Sequence, residues 1–263
     1  MSPAVRPARM PPALAVLAAV GLAFVALPIV GLAARAPWGD AGRILSGSLA
    51  GPALLLSLQV ATLASAVALL VGFPIAWLLA RASFRGIAAV RGLVVLPVVL
   101  PPVVAGIGLL AALGRRGILG DTLSVAGVTL PFSTAGAVIA AAFVALPFLV
   151  LSLEAGLRSM DVRLEDAASA MGASRWYVLR RVTLPMIRSS LGAGLVLAWA
   201  RALGEFGATI TFAGNLRGVT QTLPLAVYET SQTDPAGAVF LSLVLALLSL
   251  VALGVLWGRL RPS

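Results

Sequence analysis

The segment Arg158–Arg188 reads RSMDVRLEDAASAMGASRWYVLRRVTLPMIR and separates two long apolar runs, at about 134–157 and 189–212. Its punctuation predicts two short helices. Asp161 can cap a first helix whose opening turn carries Glu165 and Asp166, the charge that a helix N-terminus prefers. Ala167, Ala168, Ala170 and Met171 continue that helix with small or slim side chains, and Gly172 is placed to end it, since glycine adopts positive φ at little cost. Ser174 can cap a second helix running through Val182, and Pro185 restricts Leu184, so this helix is expected to stop before the next apolar run. Two readings explain these residues equally well. The small-residue face admits close approach by another protein, or the segment is an amphipathic linker lying on a membrane surface with its arginines and Trp176 at the headgroups.

The flanks of the island set the class of fold. The chain has 263 residues, 60% of them hydrophobic and 11% charged, with a mean hydropathy of +1.05, whereas soluble domains carry roughly a quarter charged residues. Six apolar stretches, at about 12–33, 53–80, 92–113, 134–157, 189–212 and 236–258, reach the roughly 20 residues that a helix needs to cross about 30 Å of hydrocarbon. Strands of alternating polarity are absent, which excludes a barrel. The expectation is an all-α integral membrane protein with six transmembrane helices, residues 1–263 forming one transmembrane domain without a soluble domain.

Charge orients it. All 19 basic residues are arginine, and short arginine-rich loops stay in the cytoplasm. Placing both termini inside assigns Arg6, Arg9, Arg81, Arg85, Arg91, Arg158, Arg163, Arg175, Arg180, Arg181, Arg188, Arg259 and Arg261 to the cytoplasm. Arg35, Arg43, Arg115, Arg116 and Arg217 then lie outside, and Arg201 falls within a span. The net charge of +10 therefore follows from topology and contact with anionic lipid, not from nucleic acid. The chain has no cysteine and no histidine, which removes disulfides, thiolate metal sites and imidazole bases, so no catalytic residue, metal or cofactor is expected. The first apolar run exceeds the 7–15 residues of a signal-peptide core, so it is read as a retained helix.

Proline and glycine interrupt the spans. Pro28, Pro74 and Pro147 are expected near helix ends, where a missing donor costs little. Pro97, Pro101 and Pro102 break up the start of the third span, followed by Gly106 and Gly108. Such breaks persist in a membrane where protein or an aqueous path satisfies the freed carbonyls, which suits both a tightly packed kink and a path-lining helix. The fifth span holds AWARALGEFGATITFAGN, Ala198–Asn215, with Arg201 and Glu205 four residues apart on one helical face. Intramembrane charges are costly and pair or face an aqueous path, and an ion pair that holds packing is favoured here over direct substrate ligation. Gly204 and Gly207 flank Glu205 and would permit close approach of a neighbouring helix. The outer loops, about 34–51, 114–133 and 213–235, are too short for an independent domain, and no internal repeat stands out.

The order Asp166-Ala167-Ala168, three residues, Gly172, nine residues, Val182, one residue, Leu184-Pro185 resembles the EAA loop of ABC importer permeases. Asp166 stands where the family has Glu, Val182 where it has Ile, and Glu165 lies one residue early, so the family's carboxylate contact falls to either acid. The fifth-span segment is similar to the molybdate and sulfate branch of these permeases, and GEFGATITFAGN is nearest the molybdate type. LPVVLPPVVAGIGLL, Leu96–Leu110, and TQTLPLAVY, Thr220–Tyr228, carry the same likeness. The resemblance implies the MetI-like permease fold in a bacterial plasma membrane. It implies a homodimer of permeases, two cytoplasmic ABC ATPase subunits and an extracytoplasmic oxyanion-binding protein. The island, Glu165, Asp166, Ala167, Ala168, Gly172, Val182, Leu184 and Pro185 included, is then the loop that couples to the ATPase. A hydrated path for a tetrahedral oxyanion would be lined by the third and fifth spans, with Pro101, Pro102, Arg201, Gly204, Glu205, Gly207, Thr209 and Thr211 as candidate path or gate residues. Sulfate, thiosulfate and tungstate permeases share much of this pattern.

Two other classes compete. An ion-coupled secondary transporter needs a protonatable cluster, and Glu154 and Glu205 are the acids in or near spans; Glu154 is expected to form a surface pair with Arg158. A membrane enzyme is opposed by the lack of Walker-type phosphate loops and of a carboxylate cluster for a metal.

Overall fold

A computed structural model describes residues 11–260, with side chains described as far as Gly254. Arg6, Arg9 and Arg261, on which part of the expected orientation rests, lie outside the described residues, as does the side chain of Arg259. Among the described residues every regular element is helical. In chain order these are α1 (Pro12–Arg35), a 3-10 turn at Trp38–Asp40, α2 (Ala41–Ser46), α3 (Ala50–Arg81), α4 (Ile87–Val99), α5 (Pro102–Leu113), α6 (Gly120–Val125) and α7 (Thr134–Ser159). After these come α8 (Arg163–Ala170), α9 (Arg175–Val178), a π turn at Leu179–Thr183, α10 (Leu184–Met186), α11 (Arg188–Leu203), α12 (Gly207–Phe212), α13 (Leu223–Thr233) and α14 (Pro235–Leu260).

The core is built on small residues at every fourth position. Val60, Ala64, Ala68, Gly72 and Ala76 of α3 form one buried ridge, and Ala137, Ala141, Ala145, Leu149, Leu153 and Leu157 of α7 form another. Rows at i, i+4 lie on one helix face and let two backbones approach closely where side chains are small. A Cβ on Gly72 would stand 3.1 Å from Val150 Cγ2, so α3 and α7 already touch there. α11 completes the core with Ala198, Ala202 and Leu203, and its Gly194 lies against Leu149 and Ser152 of α7. Large apolar side chains such as Phe24, Leu70 and Leu93 point outward, which is expensive in water and suits a surface that meets lipid.

Four helices, α1, α3, α7 and α14, are each long and apolar enough to cross a membrane, and two bent helix pairs bring the candidates to six. The third apolar stretch is not one helix. α4 and α5 meet at 119°, because Pro102 forces Pro101 out of the helical region (φ −53°, ψ 133°) and neither proline has an N–H to donate. The fifth stretch is broken also, at Gly204–Phe206, between α11 and α12. Pro28, Pro74 and Pro147 differ from expectation. They lie inside continuous helices, Pro147 buried in the middle of α7; neighbouring helices sustain an interior proline where no water competes for the backbone. The stretch 213–235, read as a loop in the sequence, contains the packed helix α13, whose Leu223 and Ala226 bury against Ala50, Ala53 and Leu241.

Candidate functional site

The island folds as two helices joined at a glycine. Asp161 Oδ1 accepts the Arg163 N–H at 3.0 Å and so opens α8. At the other end Gly172 has φ +85°, its N–H donates to Ser169 O, and Ala173 N–H donates to Ala168 O. This paired arrangement is the Schellman ending that requires a left-handed residue. Ser174 accepts the Tyr177 N–H at 3.3 Å and starts α9. The second helix does not stop at Leu184. Leu184 stays helical and donates to Leu179 O, five residues back, so the chain enters Pro185 through a π turn and runs to Met186. The break falls at Ile187 (φ −92°, ψ 8°), where the axis turns by 73° into α11.

One side of the island faces outward without cover from this chain. Leu164, Met171, Trp176 and Tyr177 are exposed, and a groove is lined by Leu164, Ala167, Ala168, Met171, Arg181, Val182, Pro185 and Met186. Asp166 is exposed on α8, while Gly172 has open space around it. Leu184 is half-buried. Glu165 points the other way. The buried Thr183 hydroxyl donates to its Oε1 at 2.6 Å, and Arg81 Nη2 lies 3.2 Å from its Oε2. The two acids that spacing could not separate are thus distinguished by environment.

Glu154 also departs from expectation. It is buried on α7, not at the surface, with Arg91 of α4 and Arg158 both on its Oε1. Arg158 Nη2 further donates to Leu79 O at 2.8 Å, filling one of the carbonyls that the end of α3 leaves unpaired. The pairing of Glu154 with Arg158 was legible in the sequence, but no motif marks Arg91 of α4 or the Leu79 carbonyl of α3, which reach it from other helices.

In the fifth stretch the structure brings Arg201 and Glu205 together, Nη1 to Oε2 at 2.7 Å. They do so across the break instead of on one continuous helix. Glu205, 2% exposed, turns its Oε1 to the Ala208 N–H at 2.8 Å and so caps α12, whose first N–H groups have no intrahelical partner. Gly207 sits directly on Pro102, and Gly106 on Ala208 and Thr211, which clasps α5 to α12 through two glycines. Thr211 donates to Gly207 O. Thr209 is buried, and its Oγ1 has no hydrogen-bond partner among the described residues. Pro101, Pro102 and Gly204 are exposed, and Arg201 is partly so.

A further cluster went unnoticed in the sequence. Glu229 of α13 accepts from Asn215 at 2.9 Å and also from Arg217 and Gln221. The hydrogen bond from Arg217 holds this carboxyl below its ordinary value of 4.5. Spacing gave no signal because the partners lie on the irregular turn before α13.

Residues 72–260 match the family of binding-protein-dependent transport system inner membrane components, and the chain belongs to that family of membrane-embedded transport subunits. Relatives are nearer still: it is 46% identical to the molybdenum transport system permease protein ModB of Mycobacterium tuberculosis, over 90% of each chain. It is 45% identical to the protein of the same name from Escherichia coli K12, over 76% of this chain and 89% of that one. The crystal structure of a bacterial ABC transporter involved in import of the acidic polysaccharide alginate superposes with a TM-score of 0.71 at 21% identity, covering 95% of this chain and 94% of that one. That likeness shows the ABC importer permease fold.

Proposed function

We propose that this chain is the permease subunit of an ATP-driven importer that carries molybdate across the bacterial plasma membrane. The observation that carries the reading is the 46% identity to a molybdenum permease over 90% of both chains. The whole chain, 1–263, acts as one permease domain. Its bent pairs each count as one span, which makes six, with both termini in the cytoplasm. Two copies enclose the path, two ABC ATPase subunits dock below, and an extracytoplasmic oxyanion-binding protein delivers the anion above. The chain hydrolyses no ATP itself.

The exposed side of the island supplies the dock. Asp166, Ala167, Ala168, Gly172, Val182, Leu184 and Pro185 form or shape the surface that an ATPase grips, and Glu165 holds it from behind. The path runs beside the clasp of α5 and α12. Pro101, Pro102, Gly204 and Arg201 border it, while Glu205, Gly207, Thr209 and Thr211 hold its wall. A dianion cannot enter hydrocarbon without replacement of its hydration, and backbone breaks at 100–101 and 204–206 put polar groups where such replacement is needed.

Radiolabelled molybdate uptake in cells lacking this chain, restored by it and challenged with sulfate and tungstate, tests the substrate. Uptake that returns with the chain and resists excess sulfate is expected. Equal loss of sulfate uptake in those cells overturns the molybdate reading, and transport by the reconstituted chain without an ATPase subunit overturns the ATP-driven one.

A further inference from the structure

Glu165 precedes the acid that matches the loop signature, yet it is the one bonded back to the spans. Both of its oxygens are engaged, Oε1 by Thr183 at 2.6 Å and Oε2 by Arg81 at 3.2 Å. Arg81 is the last residue of α3 and lies 5.9 Å over the Trp77 ring, which fixes the guanidinium on its far side as well. The side chains of Arg81 and Glu165 are 20% and 14% exposed. In so dry a place, removing one charge leaves the other without compensation.

The end of α3 is therefore tied twice. Arg158 binds its Leu79 carbonyl from α7, and Glu165 binds its Arg81 from α8. By the covalent chain, α8 joins α7 through residues 160–162 and α9 through 171–174. The Glu165–Arg81 pair adds a direct tie to a helix far away in sequence.

We infer that Glu165 is a positioning residue that conveys displacement of the island to the end of α3, with Arg81 as its receiver and Thr183 holding the carboxylate in line. The inference rests on the reading of the island as an ATPase dock. When the ATPase moves α8, α7 follows through the chain and α3 through this pair, so the two helices whose ridges form the core move together.

The test uses the complete transporter, permease with ATPase and binding protein, in proteoliposomes. Glu165→Gln and Arg81→Gln are compared with the double reversal Glu165→Arg/Arg81→Glu, and ATP hydrolysis and molybdate uptake are measured on the same vesicles. Both single variants are expected to keep the ATPase bound and hydrolysing while uptake falls about tenfold, as for the loss of one partner of a partly buried ion pair. ATP consumed per molybdate therefore rises, and the double reversal lowers it again. A wild-type ratio in both single variants, or a double reversal no better than either, overturns the inference. If the Gln variants fail to accumulate, Glu165→Asp, which keeps the charge and shortens the reach, must still raise the ratio; a wild-type ratio there overturns the inference too. Cross-linking from Ala167→Cys to the ATPase separates the two levels. A cross-link with normal ratios removes the Glu165 role alone, and no cross-link removes the docking reading beneath it.

Discussion

Gly207 lies so close to Pro102 that a Cβ on the glycine would fall 2.6 Å from the proline's own Cβ. No real side chain fits there. The same clasp is repeated at Gly106, whose Cβ would stand 2.6 Å from Thr211 Cβ and 3.0 Å from Ala208 O. Overpacking of this kind costs about 1–3 kcal/mol, and here the obstacles include backbone and a rigid ring. Gly106→Ala and Gly207→Ala should each lower the melting temperature in detergent and reduce uptake, whereas Gly108→Ala, with open space around it, should do neither. Melting curves of the three variants check this.

Glu205 serves two partners, so its substitutions should grade. Glu205→Gln keeps an oxygen for the Ala208 N–H and loses the charge facing Arg201. Glu205→Ala loses both and leaves the start of α12 uncapped, adding about 1 kcal/mol to the loss. Thermal unfolding should rank wild type above Gln and Gln above Ala.

Gly172 tests the dock through backbone conformation alone. Its φ of +85° is strained for residues with a Cβ by about 1–2 kcal/mol, while open space surrounds it. Gly172→Ala should weaken co-purification of the ATPase, Gly172→Asn should weaken it less because asparagine tolerates the left-handed region, and Gly172→Trp should abolish it while membrane insertion persists. Normal ATPase association and uptake in the Trp variant would return the island to the lipid-surface reading.

The path assignment is read by two side chains of opposite placement. Thr209→Ala removes a buried hydroxyl and Gly204→Leu fills an exposed gap beside the break. Uptake is expected to fall in both, more in Gly204→Leu, with the ATPase still bound. Unchanged uptake in both removes this face from the path.

Acid should loosen the turn before α13. The folded-state pKa of Glu229 is depressed, first by the hydrogen bond from Arg217, so the contribution of the cluster is complete above the ordinary value of 4.5. It is lost as pH falls from there through the lowered value. Melting temperature measured against pH should carry this component in the wild type and lack it in Glu229→Gln.

Much of the architecture follows from local chemistry. The length and apolarity of α3 and α7, the Schellman ending at Gly172 and the cap at Ser174 depend on residues within a turn or two of each other, and a reading of the chain reaches them. Pairing of Arg201 with Glu205 was also within reach, since four residues separate them.

Other features needed the folded chain. Pro185 does not end its helix at Leu184, because a π turn over Leu179–Thr183 carries the chain past it to Met186. Pro101 and Pro102 signalled a break, but neither the 119° angle of the turn nor the clasp of α5 to α12 through Gly106 and Gly207 could be read from them. Glu165 and Asp166 are neighbours of equal charge, indistinguishable by spacing; burial against Arg81 turned one inward and left the other on the surface. Local sequence thus determined the long apolar helices and the punctuation of the island, while α2, α6 and α13 arose in stretches that read as loops. Tertiary packing decided which charges meet, because the free energy of a buried ion depends on partners brought from distant helices.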